Sequence, residues 1–410
     1  MSLSTGGLSL ALDSQETIAF DPNWINEQES RNICMDTATK SFANISDMSE
    51  FLSEREGNAG WLNGIDIKDL NLVLLDDAED VLNAASQEVI LDTKKNTGLC
   101  LTGGDLQQTA LRSCAIPSLL ERAKISGAAL NKVSKLVLRN IVNECLQVAA
   151  KSSSTKIRLA DGKISAVLSS EYAPIFMPQI FTAATEYIEK RFPNNCFAGG
   201  TWSHVITTGE WELTGEDSLI EAYKNALIKH GIKHDEIQPG LRLSSSDTGV
   251  SGVNLMPKIV VGKDRLLLPI GGPIGLEHKG NASLEKFKEN LEGIFALYGD
   301  RLERLAQLLE VEINNPINCM SLVMKRLGVP KKYGTPALEV FQRGIAYGDS
   351  CTAHDIFYGL GELLFQLQIH NVSGENVLRM EETIAKALTL NITEYDVPDE
   401  VEKGGVLYAA

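Results

Sequence analysis

The chain has 410 residues, 43% apolar and 22% charged, a composition that fits a globular protein of two or three domains and excludes a wholly disordered one. Its formal net charge of −16 argues against nonspecific nucleic-acid binding by bulk charge, although a local basic face still attracts a polyanion. No apolar run reaches about 18 residues, and MSLSTGGLSLALDSQ lacks the basic-then-apolar order of a secretory signal, so no membrane partner is expected.

The charge is unevenly placed. Residues 1–120 hold 7 Lys and Arg against 19 Asp and Glu, residues 121–200 hold 11 against 6, and residues 346–410 hold 3 against 11. Three regions are expected on this basis: an acidic, partly ordered stretch 1–103, a core 104–345, and a helical segment with an acidic tail, 346–410. Seven cysteines without a C-x-x-C pair point to buried thiols and a reducing, cytoplasmic setting.

In chain order, Phe20, Trp24, Phe42, Phe51 and Trp61 are aromatics scattered through a polar stretch. DIKDLNLVLLDDAEDVL reads as a buried strand followed by a short helix. Residues 104–150 read as helical, with Pro117 near a helix start and a break at Ser126-Gly127. Within them Val133, Leu136, Val137, Ile141 and Leu146 recur roughly at helical spacing, while Lys132, Lys135 and Arg139 share another face. With Lys124, that basic stripe is a polyanion candidate, although a solvated helix face is the commoner reason for such a pattern.

KIRLADGKISAVL predicts a hairpin, because Asp161-Gly162 tolerates the positive φ angles of a type I′ turn. FMPQIFTAATEYIEKRF reads as a helix stopped before Pro193. TWSHVITTGEWEL predicts a second hairpin around Gly209, and DSLIEAYKNALIKHG a helix closed by Gly231. Leu284, Phe287, Leu291, Ile294, Tyr298, Leu302, Leu305 and Leu309 form a near-heptad seam. Packing on the protein's own sheet is its simpler account, and pairing with a second subunit, which makes a homo-oligomer the expected state, its sharper one. MKRLGVPKKYG places Lys325, Arg326, Lys331 and Lys332 together on a loop.

Chemical motifs are scarce. Neither a P-loop nor a G-x-G-x-x-G fingerprint occurs, so no cofactor is expected. Gly249-Val250-Ser251-Gly252 falls one residue short of a nucleophile elbow, and no histidine is marked as a base. His230 and His234 are better read as a helix terminus than as metal ligands. Cys351 and His354 lack a second ligand pair, and Asp355 suits a cap, so no metal site is expected. Glu210 and Glu212 look like exposed turn residues. No catalytic residues are assigned.

The stretch Gly240–Gly262, GLRLSSSDTGVSGVNLMPKIVVG, has strand-like ends and a polar centre. RLADGKISAVLSSEYAPI, LRLSSSDTGVSGVNLMP and GGPIGLEHKG, in that order, resemble the DUF932 family of phage- and plasmid-related proteins over roughly residues 104–370. The resemblance implies a signature loop made of Ser244, Ser245, Ser246, Asp247, Thr248, Gly249, Ser251 and Gly252, rather than a nucleotide cradle. Such a loop either offers an anion-binding nest or closes on its own side chains. Ser245 stands where the family favours Asn, and Ile270-Gly271-Gly272 replaces its Cys-Asn-Gly turn.

The expected fold is α+β: a mostly antiparallel sheet built from hairpins, flanked by helices, with a helical C-terminal part. The expected function is a non-catalytic mobile-element protein that binds single- or double-stranded DNA, with Tyr172, Phe176, Trp202 and Trp211 as stacking candidates, although core packing is the commoner role of each. A self-assembling structural or interaction protein is the rival reading.

Overall fold

The structure, a computed structural model, describes residues 38–148, 153–214, 217–232, 237–261, 266–345, 350–370, 372 and 374–398. Phe20, Trp24, Cys34 and His234 lie outside them.

The chain runs from β1 (Thr39–Phe42) into α1 (Ile45–Gly57), whose N-cap Asn44 accepts from the Asp47 amide at 2.8 Å. Then follow β2 (Ala59–Asp66), β3 (Asn71–Leu74), α2 (Glu79–Ala84), α3 (Gln87–Asn96), β4 (Leu99–Gly103), β5 (Leu106–Leu111), α4 (Ala115–Arg122), α5 (Lys135–Val148), β6 (Ser154–Ala160) and β7 (Lys163–Ser169). Strands β2 to β7 form one sheet in the order β2-β6-β7-β5-β4-β3, antiparallel except where β5 meets β7. The hairpin turn expected at Asp161-Gly162 is present, with φ of 52° and 72°, the left-handed pair that a type I′ turn requires.

Two expectations fail in this lobe. Leu106–Leu111 is a strand, not helix, because Gly103 and Gly104 (φ 145° and 55°) turn β4 back into β5. A Cβ on Gly103 would stand 2.1 Å from the Asp69 carbonyl oxygen, so only glycine fits that turn. Helix α5 starts at Lys135 and buries Leu138, Val142 and Leu146 against Leu72, Leu101 and Ile157. Leu136 and Val137 face outward, 48% and 43% exposed; the buried face follows a strict four-residue step.

The second lobe holds α6 (Met177–Arg191), β8 (Cys196–Ser203), β9 (Thr207–Glu212), α7 (Asp217–Lys229), β10 (Ile237–Ser245), β11 (Val253–Val261), β12 (Leu266–Pro269) and β13 (Ile274–Leu276). Its antiparallel sheet runs β1-β8-β9-β10-β11-β12, with β13 also on β11. The β8–β9 hairpin turns at His204–Ile206, not at Gly209. Gly209 lies within β9 opposite Leu243, where a Cβ would approach the Phe181 ring to 2.9 Å and the Trp211 ring to 3.1 Å. It is a close-approach glycine inside a strand.

The helical part comprises α8 (Leu284–Gln307), α9 (Pro316–Arg326), α10 (Lys331–Gly344), α11 (Ala353–Gly359), α12 (Glu362–Ile369) and α13 (Gly374–Ala387), with the short pair β14 (Glu312–Ile313) and β15 (Cys351–Thr352). The heptad-like seam lies on α8 and just beyond it. Phe287, Leu291 and Ile294 enter the sheet's core with α6, while Tyr298, Leu302, Leu305 and Leu309 enter the core of the C-terminal helices. All seven are at most 4% exposed, so the stripe is consumed by the chain's own packing and leaves no seam for a second subunit.

The architecture is α+β, with mostly antiparallel sheets flanked by helices and a helical C-terminal part. Residues 39–103 are woven into both sheets through β1 and β2–β4, and position 103 falls inside the β4–β5 hairpin. Likewise α11 to α13 share one core with α8 to α10 across position 345. Neither expected boundary separates independent cores.

Candidate functional site

Two of the three motifs quoted above meet where the sheets adjoin. Arg158 on β6, 3% exposed, donates to Glu56 Oε1 and Oε2 at 3.1 and 2.6 Å and to Asp247 at 3.2 Å. Burial pulls its guanidinium down, but the Glu56 and Asp247 carboxylates outweigh that and raise it further. Beside it, Arg55 pairs with Asp161 at 2.8 Å, and Arg112 donates to His204 Nε2 at 2.7 Å. A guanidinium only donates, so His204 Nε2 is the acceptor. Trp202 is clasped by Phe51 and His204, with Arg55 4.1 Å above its ring. Arg55, Glu56, Arg158, Trp202, His204 and Asp247 line a cavity of about 30 Å³, room for one water. Its cations and carboxylates are matched, and the cleft acts as a polar joint between the lobes.

The signature loop closes on itself and on its neighbours. Ser246 Oγ donates to the Val205 carbonyl at 2.6 Å and accepts from the Thr248 amide at 3.2 Å, and Thr248 Oγ1 also reaches Val205. Asn254 donates to Ser251 Oγ at 2.9 Å, and Gly249 (φ 78°) lies against Leu168 of the hairpin. Ser244, Ser245, Ser246 and Thr248 are buried, and Gly252 backs onto the Leu276 carbonyl. The hydroxyls therefore serve the turn.

A serine–histidine contact that sequence reasoning missed lies next to this loop. Ser245 Oγ is 3.5 Å from His278 Nε2, and His278 Nδ1 donates to the Ala173 carbonyl at 3.2 Å. Burial pushes His278 below the usual imidazole range, against the Ala173 bond and the Asp247 charge. Its ring stacks on Tyr172, which stacks on Trp61. Ser245 is 0% exposed, so no substrate carbonyl reaches it, and the contact is a hydrogen bond of the fold rather than a nucleophile with its base.

Two further polar clusters are buried. Glu210 is not an exposed turn residue: with Arg242, Lys258 and Glu381 it forms a closed quartet of two carboxylates and two cations, tying three strands to α13. Burial would raise Glu210, but Lys258 and Arg242 overcome it and hold its carboxyl at about 2. Elsewhere Tyr223 Oη lies 2.6 Å from His354 Nε2 and 2.8 Å from Tyr358 Oη. Burial pushes His354 down to about 4. The expected cap is present: Thr352 and Asp355 form a reciprocal capping box. Among the described residues no cluster of His, Cys, Asp and Glu could hold a metal, and no helix is long and apolar enough to cross a membrane.

The candidate DNA-contacting residues fall on two separate cores. Lys124 follows α4 in a left-handed turn, Lys132 precedes α5, Lys135 opens it, and Arg139 pairs with Asp77 at 3.6 Å. The other four stand not on one loop but at the junction of two helices. Lys325 and Arg326 close α9, Gly328 (φ 72°) turns the chain, and Lys331 and Lys332 open α10. All four are exposed, and among the described residues none forms an ion pair. Of the expected stacking aromatics, Tyr172 and Trp211 are buried and Trp202 is clasped, while Phe176 stays 42% exposed. The aromatic rings nearest the basic corner are others: Lys332 Nζ lies 5.5 Å over Tyr333, whose ring meets His370 at the end of α12 edge-on at 5.6 Å.

Compared with known proteins, the chain matches no family model, no curated protein and no solved structure. These comparisons lend no support to the DUF932 resemblance, which rests on its three quoted motifs alone.

Proposed function

We propose that this is a non-catalytic, mobile-element type of protein that binds DNA, and that the corner formed by Lys325, Arg326, Lys331 and Lys332 is its interface. One observation carries the reading: these cations are exposed and, among the described residues, unmatched, whereas the buried cations Arg158, Arg242 and Lys258 all have carboxylate partners. Lys331 and Lys332 also sit at a helix N-terminus, where positive charge is disfavoured by roughly 0.5 kcal/mol each. A phosphate backbone relieves both, because it neutralises the ammonium groups and meets the free N–H groups of the first turn. The charge-matched quartet of Glu210, Arg242, Lys258 and Glu381 supports a structural rather than a catalytic role for those side chains.

The test is fluorescence anisotropy with a labelled oligonucleotide at low and at moderate ionic strength. Binding that weakens steeply with salt supports the reading. The absence of salt-sensitive affinity at low ionic strength contradicts it.

A further inference from the structure

In the first sheet, β5 runs past the end of its neighbour β7. The two strands meet only through Ala110 and Leu111, and on that side the Arg112 amide donates to the Ile164 carbonyl at 2.9 Å. Backbone groups along a strand alternate in direction with period two. Gln108 therefore turns its amide and carbonyl to the same side, beyond Gly162, where the β6–β7 hairpin bends away. Among the described residues no strand pairs with Gln108 there. A groove of about 440 Å³ opens at this edge, lined by Gln108 and Thr109 of β5, Gly162 of the turn, and Asp80, Val81 and Ala84 of α2. The Gln108 side chain accepts from the Asp80 amide at 3.1 Å, which holds α2 at the groove and leaves the main chain of Gln108 for a partner.

An open strand edge invites another strand, and proteins commonly blunt such edges with Lys or Pro. The stretch Leu106–Thr109, LQQT, carries neither. Charge selects the occupant. Asp80 is the one charged residue that lines the groove; it is exposed and, among the described residues, in no ion pair. Lys163, which follows Gly162, is already taken by Asp92. The chain's own ends are poor candidates, because residues 1–37 hold one Arg against 6 Asp and Glu, and residues 399–410 one Lys against 3. A second copy brings a net charge of −16. We propose that the groove takes an extended segment of a partner protein that bears Lys or Arg. That segment continues the line of β7, pairs with the Gln108 amide and carbonyl, lays small apolar side chains on Val81 and Ala84, and sets a cation against Asp80. This site is independent of the basic corner and of what the corner binds.

The experiment follows backbone amide hydrogen exchange in the full-length protein with three probes at millimolar concentration. They are a capped peptide of alternating valine and lysine, its counterpart with glutamate for lysine, and the lysine peptide methylated at every backbone nitrogen, which keeps the charge but cannot pair as a strand. In the free protein the Gln108 amide exchanges quickly. The lysine peptide slows exchange in Leu106–Thr109, and the other two do not. Asp80→Asn weakens binding of the lysine peptide about 2- to 5-fold. Ala84→Trp fills the groove from an exposed helix position and abolishes the protection; an unshifted melting temperature checks its fold, and Asp80→Asn, which keeps the size of the side chain, gives a separate reading. Equal protection by the methylated peptide reduces the contact to charge alone and overturns the proposal. So does a preference for the glutamate peptide, protection that survives Ala84→Trp, or no protection by any peptide. Slow exchange at Gln108 before any peptide is added shows the groove filled by this chain or a second copy, and protection of the same stretch by oligothymidylate instead of the lysine peptide makes it a nucleic-acid surface; either result overturns the proposal.

Discussion

The buried quartet and the exposed corner use the same residue types for opposite ends. In the quartet, Lys258 and Glu381 are 1% exposed, and each charge faces opposite charges from other strands or from α13. Removing water from such groups is repaid only when every partner is in place. At the corner, four cations stand in solvent within eight residues of sequence, and among the described residues none is matched. Solvent makes that arrangement cheap, but nothing in the fold requires it. The lesson is one of location: matched charge marks where this chain holds itself together, and unmatched charge marks where a partner is expected.

The largest effect that could break this comparison is in the quartet. Glu381→Gln leaves Lys258 and Arg242 with one carboxylate between them and should cost about 3–5 kcal/mol in urea denaturation; a loss below about 1 kcal/mol would show that α13 is not held by charge. Acid should act through His354. Its folded value of about 4 lies below its ordinary 6.5, so the unfolded chain takes the proton first. The stabilisation is full above pH 6.5 and is lost as pH falls toward 4, by up to roughly 3 kcal/mol, and His354→Phe should flatten that slope. Glu210, held at about 2 against an ordinary 4.5, adds a second loss below pH 4.5 by the same sign, which His354→Phe leaves intact.

Smaller effects sharpen the picture. Gly209→Ala drives a methyl group into Phe181 and Trp211 and should lower stability by about 1–3 kcal/mol in thermal melts, whereas a turn glycine at that position would tolerate the change. Asp247→Asn should cost less than about 1 kcal/mol, since its side chain is 35% exposed and Arg158 keeps both bonds to Glu56.

Much of the architecture was legible because local chemistry decides it. Asp161-Gly162 could hardly be anything but a type I′ turn, and Gly231 ends α7 as its position in the sequence foretold. The buried stripe from Phe287 to Leu309 was also visible, although spacing alone could not say whether its partner was the chain's own core or another copy. What failed depended on neighbours distant in sequence. Gly209 reads as a turn until Phe181 and Trp211 are seen beside it. Glu210 reads as a surface residue until Arg242, Lys258 and Glu381 gather around it from up to 171 residues away. The basic corner was visible as a run of cations, but the exposure of Phe365 and Ile369 in ELLFQLQI was not, because the equally apolar Leu363, Leu364 and Leu367 beside them are buried.

The central claim is tested most directly by the salt dependence of oligonucleotide binding, measured for the wild type and for a variant with Lys325, Arg326, Lys331 and Lys332 all changed to Gln. The account predicts a negative slope of log affinity against log salt that becomes shallower in the variant, by up to about 3 if all four cations neutralise phosphates of a single strand. An unchanged slope would contradict it and move the interface to the other basic residues, Lys124, Lys132, Lys135 and Arg139.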